Sequence, residues 1–177
     1  MSNVNVTAVD EAALTRLYDE HARDLHHYLA RRLTPTVADD LVAETFLVAW
    51  EQRARYDPAR GEPRAWLFGI ATNLLRRHAR TEAATLRALA RSATRADRAE
   101  YPDVASRVDA ARAGPALAAG LAALRREERD VLLLVAWAGL RPAEIAAALN
   151  LDDRTVRTRL HRARTKLRTR LKEDHHV

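Results

Sequence analysis

Gly139-Leu-Arg-Pro-Ala-Glu-Ile-Ala-Ala-Ala-Leu-Asn-Leu-Asp-Asp-Arg-Thr-Val-Arg-Thr-Arg-Leu-His-Arg-Ala-Arg-Thr-Lys-Leu-Arg-Thr-Arg-Leu-Lys172 reads as two short helices joined by a tight turn, the second almost wholly cationic. Pro142 stands near the start of the first helix, where its missing N–H costs nothing, and Glu144 follows in the positive first turn. Ile145 and Leu149 then share a face one turn apart. Asn150-Leu-Asp-Asp153 interrupts that helix: Asn150 tolerates a left-handed C-terminal conformation, and Asp152 or Asp153 can cap the next one. From there Val156, Leu160, Ala163, Leu167 and Leu171 recur at steps of three and four and line one face, which must pack inward. The other faces carry Arg154, Arg157, Arg159, Arg162, Arg164, Lys166, Arg168, Arg170 and Lys172, with no acid among them. Such a helix, about 28 Å long at 1.5 Å per residue, has the size and charge to lie in a DNA major groove. A membrane-surface helix would need bulkier apolar residues than Val156, Leu160 and Ala163, which suit packing on a small helical domain.

The chain has 177 residues, 47% of them hydrophobic, enough for one domain or two small ones with buried cores. Cysteine is absent, which excludes disulfides and thiolate metal sites and fits a reducing compartment. There is no apolar run long enough to cross a membrane, and Met1-Ser-Asn-Val-Asn-Val-Thr7 lacks the basic start and apolar block of a signal peptide. The expected location is the cytoplasm, without membrane insertion. Scarce glycine, abundant Ala, Leu and Arg, and no alternating apolar pattern predict an all-α chain. The charge of +6 is uneven: residues 1–80 balance, 81–113 hold an excess of +1 and 114–177 an excess of +5. The C-terminal third is therefore the part built for a polyanion, while the N-terminal part must bind by shape or local charge.

A first helix is predicted from about Asp10 to Leu33 on the rhythm of Leu14, Leu17, Tyr18, Leu25, Tyr28 and Leu29, stopped by Thr34-Pro-Thr36. A second starts with Thr36 as cap and Asp39 as its capping-box partner and runs to about Arg53. Its Val42, Phe46, Ala49 and Trp50 form an apolar stripe, with Asp40, Glu44 and Glu51 on another face. Arg53 to Arg64 holds two prolines and a glycine and reads as a loop, before Pro63 opens a helix through Arg80, with Trp66, Ile70 and Leu74 inward and Arg76, Arg77, His78 and Arg80 outside. Residues 81–115 read as a flexible linker, partly helical around Thr85–Arg98 and interrupted at Tyr101-Pro102 and Gly114-Pro115. Helices at about 116–124, 127–138, 142–149 and 153–172 then make a second small domain, 116–177, of helix-turn-helix type.

Taken in order, three motifs resemble the extracytoplasmic-function group of bacterial sigma factors over nearly the whole length. Asp39-Asp-Leu-Val-Ala-Glu-Thr-Phe-Leu-Val-Ala-Trp50 is similar to the helix with which that family docks on the clamp helices of core RNA polymerase. Trp66-Leu-Phe-Gly-Ile-Ala-Thr-Asn-Leu-Leu-Arg-Arg-His78 is similar to its −10 element reader, and Gly139–Arg164 to its −35 helix-turn-helix. The resemblance implies a sigma region 2 over 10–80, a linker over 81–115 and a region 4 over 116–177. It also implies a protein that binds core RNA polymerase and directs promoter-specific initiation.

For the polymerase contact, Asp40 and Glu44 lie one turn apart and make an anionic patch beside Phe46 and Leu47, the composition of an interface rather than a solvated face. Asn73, mid-helix, reads on chemistry alone as either a satisfied core amide or a base contact; the resemblance implies that it holds a flipped non-template base, in a pocket completed by the loop at Tyr56. Arg76, Arg77 and Arg80 would hold phosphates there. On the last helix, Arg157, Thr158, His161 and Arg162 occupy the positions that face the −35 major groove in similar proteins, with Arg154 and Thr155 at its entry. Two departures stand out: Arg154 replaces a glycine frequent in the family, and Asp152-Asp153 places acids near the DNA-facing end. Promoter DNA and core polymerase are the implied partners, with an anti-sigma factor as regulator. The alternative is a dimeric helix-turn-helix repressor or activator not bound to polymerase, which leaves the first two motifs without a role. An enzyme is not expected: His26-His27 and His175-His176 are adjacent rather than one turn apart, no acid cluster completes a metal site, and no cofactor is implied.

Overall fold

A computed structural model describes residues 9–92 and 115–174, all helix and connecting loop. The helices are α1 (Glu11–Ala30), α2 (Pro35–Glu51), α3 (Pro63–Ser92), α4 (Pro115–Ala122), α5 (Arg126–Ala136), α6 (Pro142–Leu149) and α7 (Asp153–Asp174), with a 3-10 turn at Arg53–Arg55. The expected breaks at Tyr101-Pro102 and Gly114, residues 93–98 of the expected linker helix, and His175-His176 lie outside the described residues.

In the first domain α1, α2 and α3 pack on one another around Leu25, Tyr28, Leu29, Ala38, Phe68 and Leu75, all at most 1% exposed. Tyr28 and Phe68 meet edge to face at 5.5 Å between ring centroids, a geometry that adds to what burying two large rings contributes. The buried Tyr28 hydroxyl is satisfied by Thr72 Oγ1 at 3.1 Å and by Arg32 Nη1 at 3.4 Å, and burial pushes its pKa up.

Boundaries differ from the sequence reading at several helix ends, α1 for one stopping at Ala30 rather than Leu33, and two of the differences have a plain cause. The cap of α2 is Thr34 rather than Thr36, because Pro35, with no N–H to leave unsatisfied, takes the first helical position; Asp39 instead faces His26 Nε2 at 3.3 Å. Helix α3 does not stop at Arg80 but runs on to Ser92, since Thr81-Glu-Ala-Ala-Thr-Leu-Arg-Ala-Leu-Ala-Arg-Ser92 holds neither Pro nor Gly and is rich in the best helix former.

The second domain gathers α4, α5 and α6 against α7, with Val131, Leu134, Ile145, Val156 and Ala163 fully buried. Gly139 makes the turn into α6 at φ +64°, a conformation that a Cβ would strain. Glu144 accepts the Arg141 N–H at 2.6 Å, Asn150 stands at φ 53°, ψ 49°, and the Leu151 and Asn150 N–H groups return to the carbonyls of Ala146 and Ala147 at 2.8 and 3.4 Å, a Schellman end. Asp152 then caps α7, accepting from the Thr155 N–H at 2.7 Å and hydroxyl at 2.6 Å.

Glu128 ties the base of this domain together. Its carboxylate caps α5 through the Arg125 N–H at 3.2 Å and receives Lys166 of α7 at 2.7 and 3.0 Å. Burial raises the Glu128 pKa, but the Lys166 hydrogen bonds, the Arg125 N–H and the nearby positive charges outweigh it and hold the group below its ordinary value. A depressed carboxyl contributes stability that is present above its unfolded pKa and is lost as pH falls through the folded one. Glu128→Gln should therefore lower Tm near neutrality by about 2–4 °C, for about 1 kcal/mol once solvent screening at Lys166 is allowed for. In calorimetry from pH 7 to pH 3 that gap should close at the acid end.

Candidate nucleic-acid interface

Helix α7 separates its two functions by angle. Val156, Leu160 and Ala163 are buried, and at 100° per residue Arg154, Thr158 and His161 fall on the opposite side, with Arg162 towards it and Arg157 on the flank, all exposed. Thr155 is half-buried and spends its hydroxyl on the cap, so it belongs to the helix start rather than to the open face. Hydrogen bonds from the Thr155 hydroxyl and backbone N–H hold the Asp152 carboxyl below its ordinary pKa. Arg157 pairs with Asp153 one turn back, Nε to Oδ2 at 2.5 Å, which fixes the guanidinium over the first turn of the open face.

The second surface is built on α3. Asn73 is exposed, which removes the core-amide reading; its Oδ1 lies 3.5 Å from Arg76 Nη1. Asn73, Arg76, Arg77 and Arg80 follow one helical face at steps of three, one and three, with Arg77 and Arg80 exposed. Tyr56 hangs over the N-terminal end of this helix, its hydroxyl donating to the Gly61 carbonyl at 3.1 Å and its ring 5.1 Å from that of Trp66. Burial, then the charges of Glu62 and Asp57, raise the Tyr56 pKa, so the phenol stays a neutral donor. The two rings, Arg60 and Glu62 border a cavity of about 120 Å³ whose far wall is Ala147 and Ala148 of α6. Sequence reasoning assigned Trp66 wholly to the core; it is only half-buried, and the aromatic pair with Tyr56 ten residues earlier was the signal available.

The third surface lies on α2. Asp40 is exposed, Glu44 half-buried and Leu47 57% exposed. Phe46, expected among these contacts, is only 7% exposed, because its ring packs on Tyr18 of α1 at 4.9 Å; Tyr18, read from sequence as part of the core rhythm, is 50% exposed and carries the aromatic surface instead. Among the described residues no group of three His, Asp or Glu could hold a metal ion, and no helix is long and apolar enough to cross a membrane.

The family model for Sigma-70 region 2 matches residues 17–85 and that for Sigma-70 region 4 matches 116–167. The ECF RNA polymerase sigma factor SigL of Mycobacterium tuberculosis is 38% identical over 178 residues, covering 98% of this chain and 97% of that one. RNA polymerase sigma factor CnrH of Cupriavidus metallidurans is 34% identical over 149 residues, covering 78% and 75%. Among solved structures, CnrH in complex with the cytosolic domain of CnrY is similar at a TM-score of 0.62 and 28% identity, covering 93% of this chain and 91% of that one. The sigma factor RpoE with the anti-sigma factor NepR from Bartonella quintana shares the fold, at a TM-score of 0.63 and 20% identity, with 89% and 96% covered.

The open face of α7 generates a graded expectation for duplex binding. Arg157→Ala or Arg162→Ala should each cost about 1–3 kcal/mol and relax preference at one base pair, whereas Arg168→Ala, further along the helix, should weaken binding little and without sequence bias. A panel of singly substituted duplexes titrated at two salt concentrations reads this. Equal losses on every sequence would reduce both arginines to phosphate neutralisers.

Proposed function

The chain belongs to the extracytoplasmic-function group of RNA polymerase sigma factors, and from that premise we propose that it joins core polymerase through α2 and recognises promoters with α3 and α7. Residues 10–80 would carry polymerase binding with reading and melting of the −10 element, 81–115 the connection, and 116–177 the −35 element. The observation that carries this reading is the division of α7 into a buried apolar face and an opposite exposed face of Arg154, Thr158 and His161, flanked by Arg157 and Arg162. A duplex reader needs that arrangement, and the exposed Asn73 with Arg76, Arg77 and Arg80 supplies the single-strand counterpart.

Sigma factors are regulatory, non-enzymatic proteins, and we read this chain as one without catalytic activity or cofactor, working in the cytoplasm. The solved relatives pair CnrH with CnrY and RpoE with the anti-sigma factor NepR, and an anti-sigma factor is the regulatory partner that we infer here. A dimeric repressor is not favoured: nothing in its function would use an exposed Tyr18–Leu47 patch edged by Asp40 and Glu44. Transcription by purified core polymerase with this chain, with starts mapped by sequencing, tests the whole reading; no start dependent on the chain would end it.

Two outcomes are expected within that assay. Asp40→Arg with Glu44→Arg should leave the circular dichroism unchanged, since both side chains lie outside the core, but abolish capture of core polymerase. Asn73→Ala holoenzyme should still occupy the −35 region but open the −10 region poorly; permanganate footprints as strong as wild type would mean that Asn73 takes no part in melting.

A further inference from the structure

Two carboxylates stand at the start of α7, on the end of the helix that would enter a groove, and they do different things. Asp152 is exposed and engages both oxygens with Thr155, accepting from its N–H at 2.7 Å and its hydroxyl at 2.6 Å. Asp153, the first residue of α7, is engaged elsewhere: its Oδ2 accepts from Arg157 Nε at 2.5 Å, while its Oδ1 is covered and accepts from no group among the described residues. The pairing follows from helix geometry. Residues four apart are neighbours, and a helical side chain leans toward the N-terminal end, so an arginine reaches back over the residue one turn before it. Of the arginines expected at the groove, Arg154, Arg157 and Arg162, only Arg157 is held in an ion pair among the described residues. Its place on the helix gives that pair a consequence. A cation on the flank, between the buried stripe and the open face, lies nearest to a groove wall, where phosphate oxygens accept from it whatever the sequence.

We propose that Asp153 is a specificity-determining residue that positions Arg157: by holding Nε it withholds this arginine from the phosphate backbone and presents the remaining Nη1 and Nη2 edge to a guanine. The inference rests on the duplex-reading role assigned to α7 above. A guanidinium is a rigid planar fork, and with its Nε side taken the two terminal nitrogens are left, at a spacing that matches guanine O6 and N7. The carboxylate acts on the competing contact as well. A phosphate drawn to Arg157 must approach an anion already bonded to the same planar group, and like charges so placed repel, whereas a base edge carries no net charge and meets no such penalty. Asp153 thus lowers affinity for DNA in general and widens the gap between one sequence and another, which is what selectivity consists of. Its part in holding the helix is small: the Arg157 and Asp153 side chains are 68% and 44% exposed, and ion pairs so open to water are weak.

An acid in a first helical turn also complements the helix dipole, and DNA binding separates that structural use from the positioning one. Asp153→Asn removes the charge at constant shape, Asp153→Glu keeps an acid one turn before Arg157, and Arg157→Ala, alone and together with Asp153→Asn, closes a cycle. Each full-length chain, checked by far-ultraviolet circular dichroism, is assembled with core polymerase and offered a duplex pool randomised over about 10 base pairs, one helical turn. Sequencing the bound and free fractions gives the preference at each position, and titration of one random duplex at several salt concentrations gives the slope. For Asp153→Asn the expected result is random-duplex binding tightened about fourfold at about 0.2 M salt and a log–log slope steeper by about 0.9, as one phosphate is newly engaged. Preference at one base pair should fall about tenfold, and Asp153→Glu should restore it. In the double variant the Asp153 change should add no loss of preference to that of Arg157→Ala. Asp153→Asn that weakens binding to every duplex alike, or that keeps the wild-type preference, overturns the positioning role while Arg157→Ala still reports base reading. Arg157→Ala that loses affinity equally on every sequence, or wild type that enriches none, overturns the duplex-reading role of α7 itself, and the inference with it.

Discussion

A carboxylate with no contact with solvent must be compensated where it stands, and the compensation of Asp130 organises much of this molecule. Arg32 reaches it from the end of α1 and Arg76 from the middle of α3, so one anion on α5 fixes two elements of the other domain at once. Arg32 also bonds the Tyr28 hydroxyl, which bonds Thr72, whose own hydroxyl donates to the Phe68 carbonyl at 2.7 Å. The charge pair is thus continuous with the aromatic core of the first domain rather than appended to its surface. Removing either side of such a pair strands the other, which gives the contact a specificity that its net energy alone would not.

The helix-turn-helix was readable residue by residue because its signals are local. Pro142, Glu144, Asn150 and Asp152 each act within four positions, through hydrogen bonds that any chain with those residues at that spacing can make, and each does what its chemistry requires. The apolar stripe of α7 was equally legible for its first three members, while Leu167, which packs over Gly120 of α4, and Leu171 are only partly buried.

What could not be read depends on pairings distant in sequence. Arg60 and Asn150 are ninety residues apart and Arg76 and Asp130 fifty-four, and nothing in either neighbourhood announces the other. The exchange of Phe46 for Tyr18 at the surface is of the same kind: both fit an apolar rhythm, and only the packing of α1 on α2 decides which ring is covered. The misplaced cap at Thr36 has a local cause, a competition between two threonines that flank one proline, settled by the preference of Pro35 for the first helical position. Exposure of Asn73 likewise depended on which side of α3 the other helices took.

Helix α3 continues for a further three turns past Arg80, ending at Ser92. Twelve residues that would stretch to about 40 Å as extended chain rise only about 18 Å as helix. From Ser92 to the start of α4 at Pro115 the covalent chain can span at most about 80 Å, however it is arranged. The rigid part of α3 is therefore a yardstick: it sets the point from which the second domain must be paid out, and so bounds how far apart two stretches of one duplex can lie and still be held together by a single molecule.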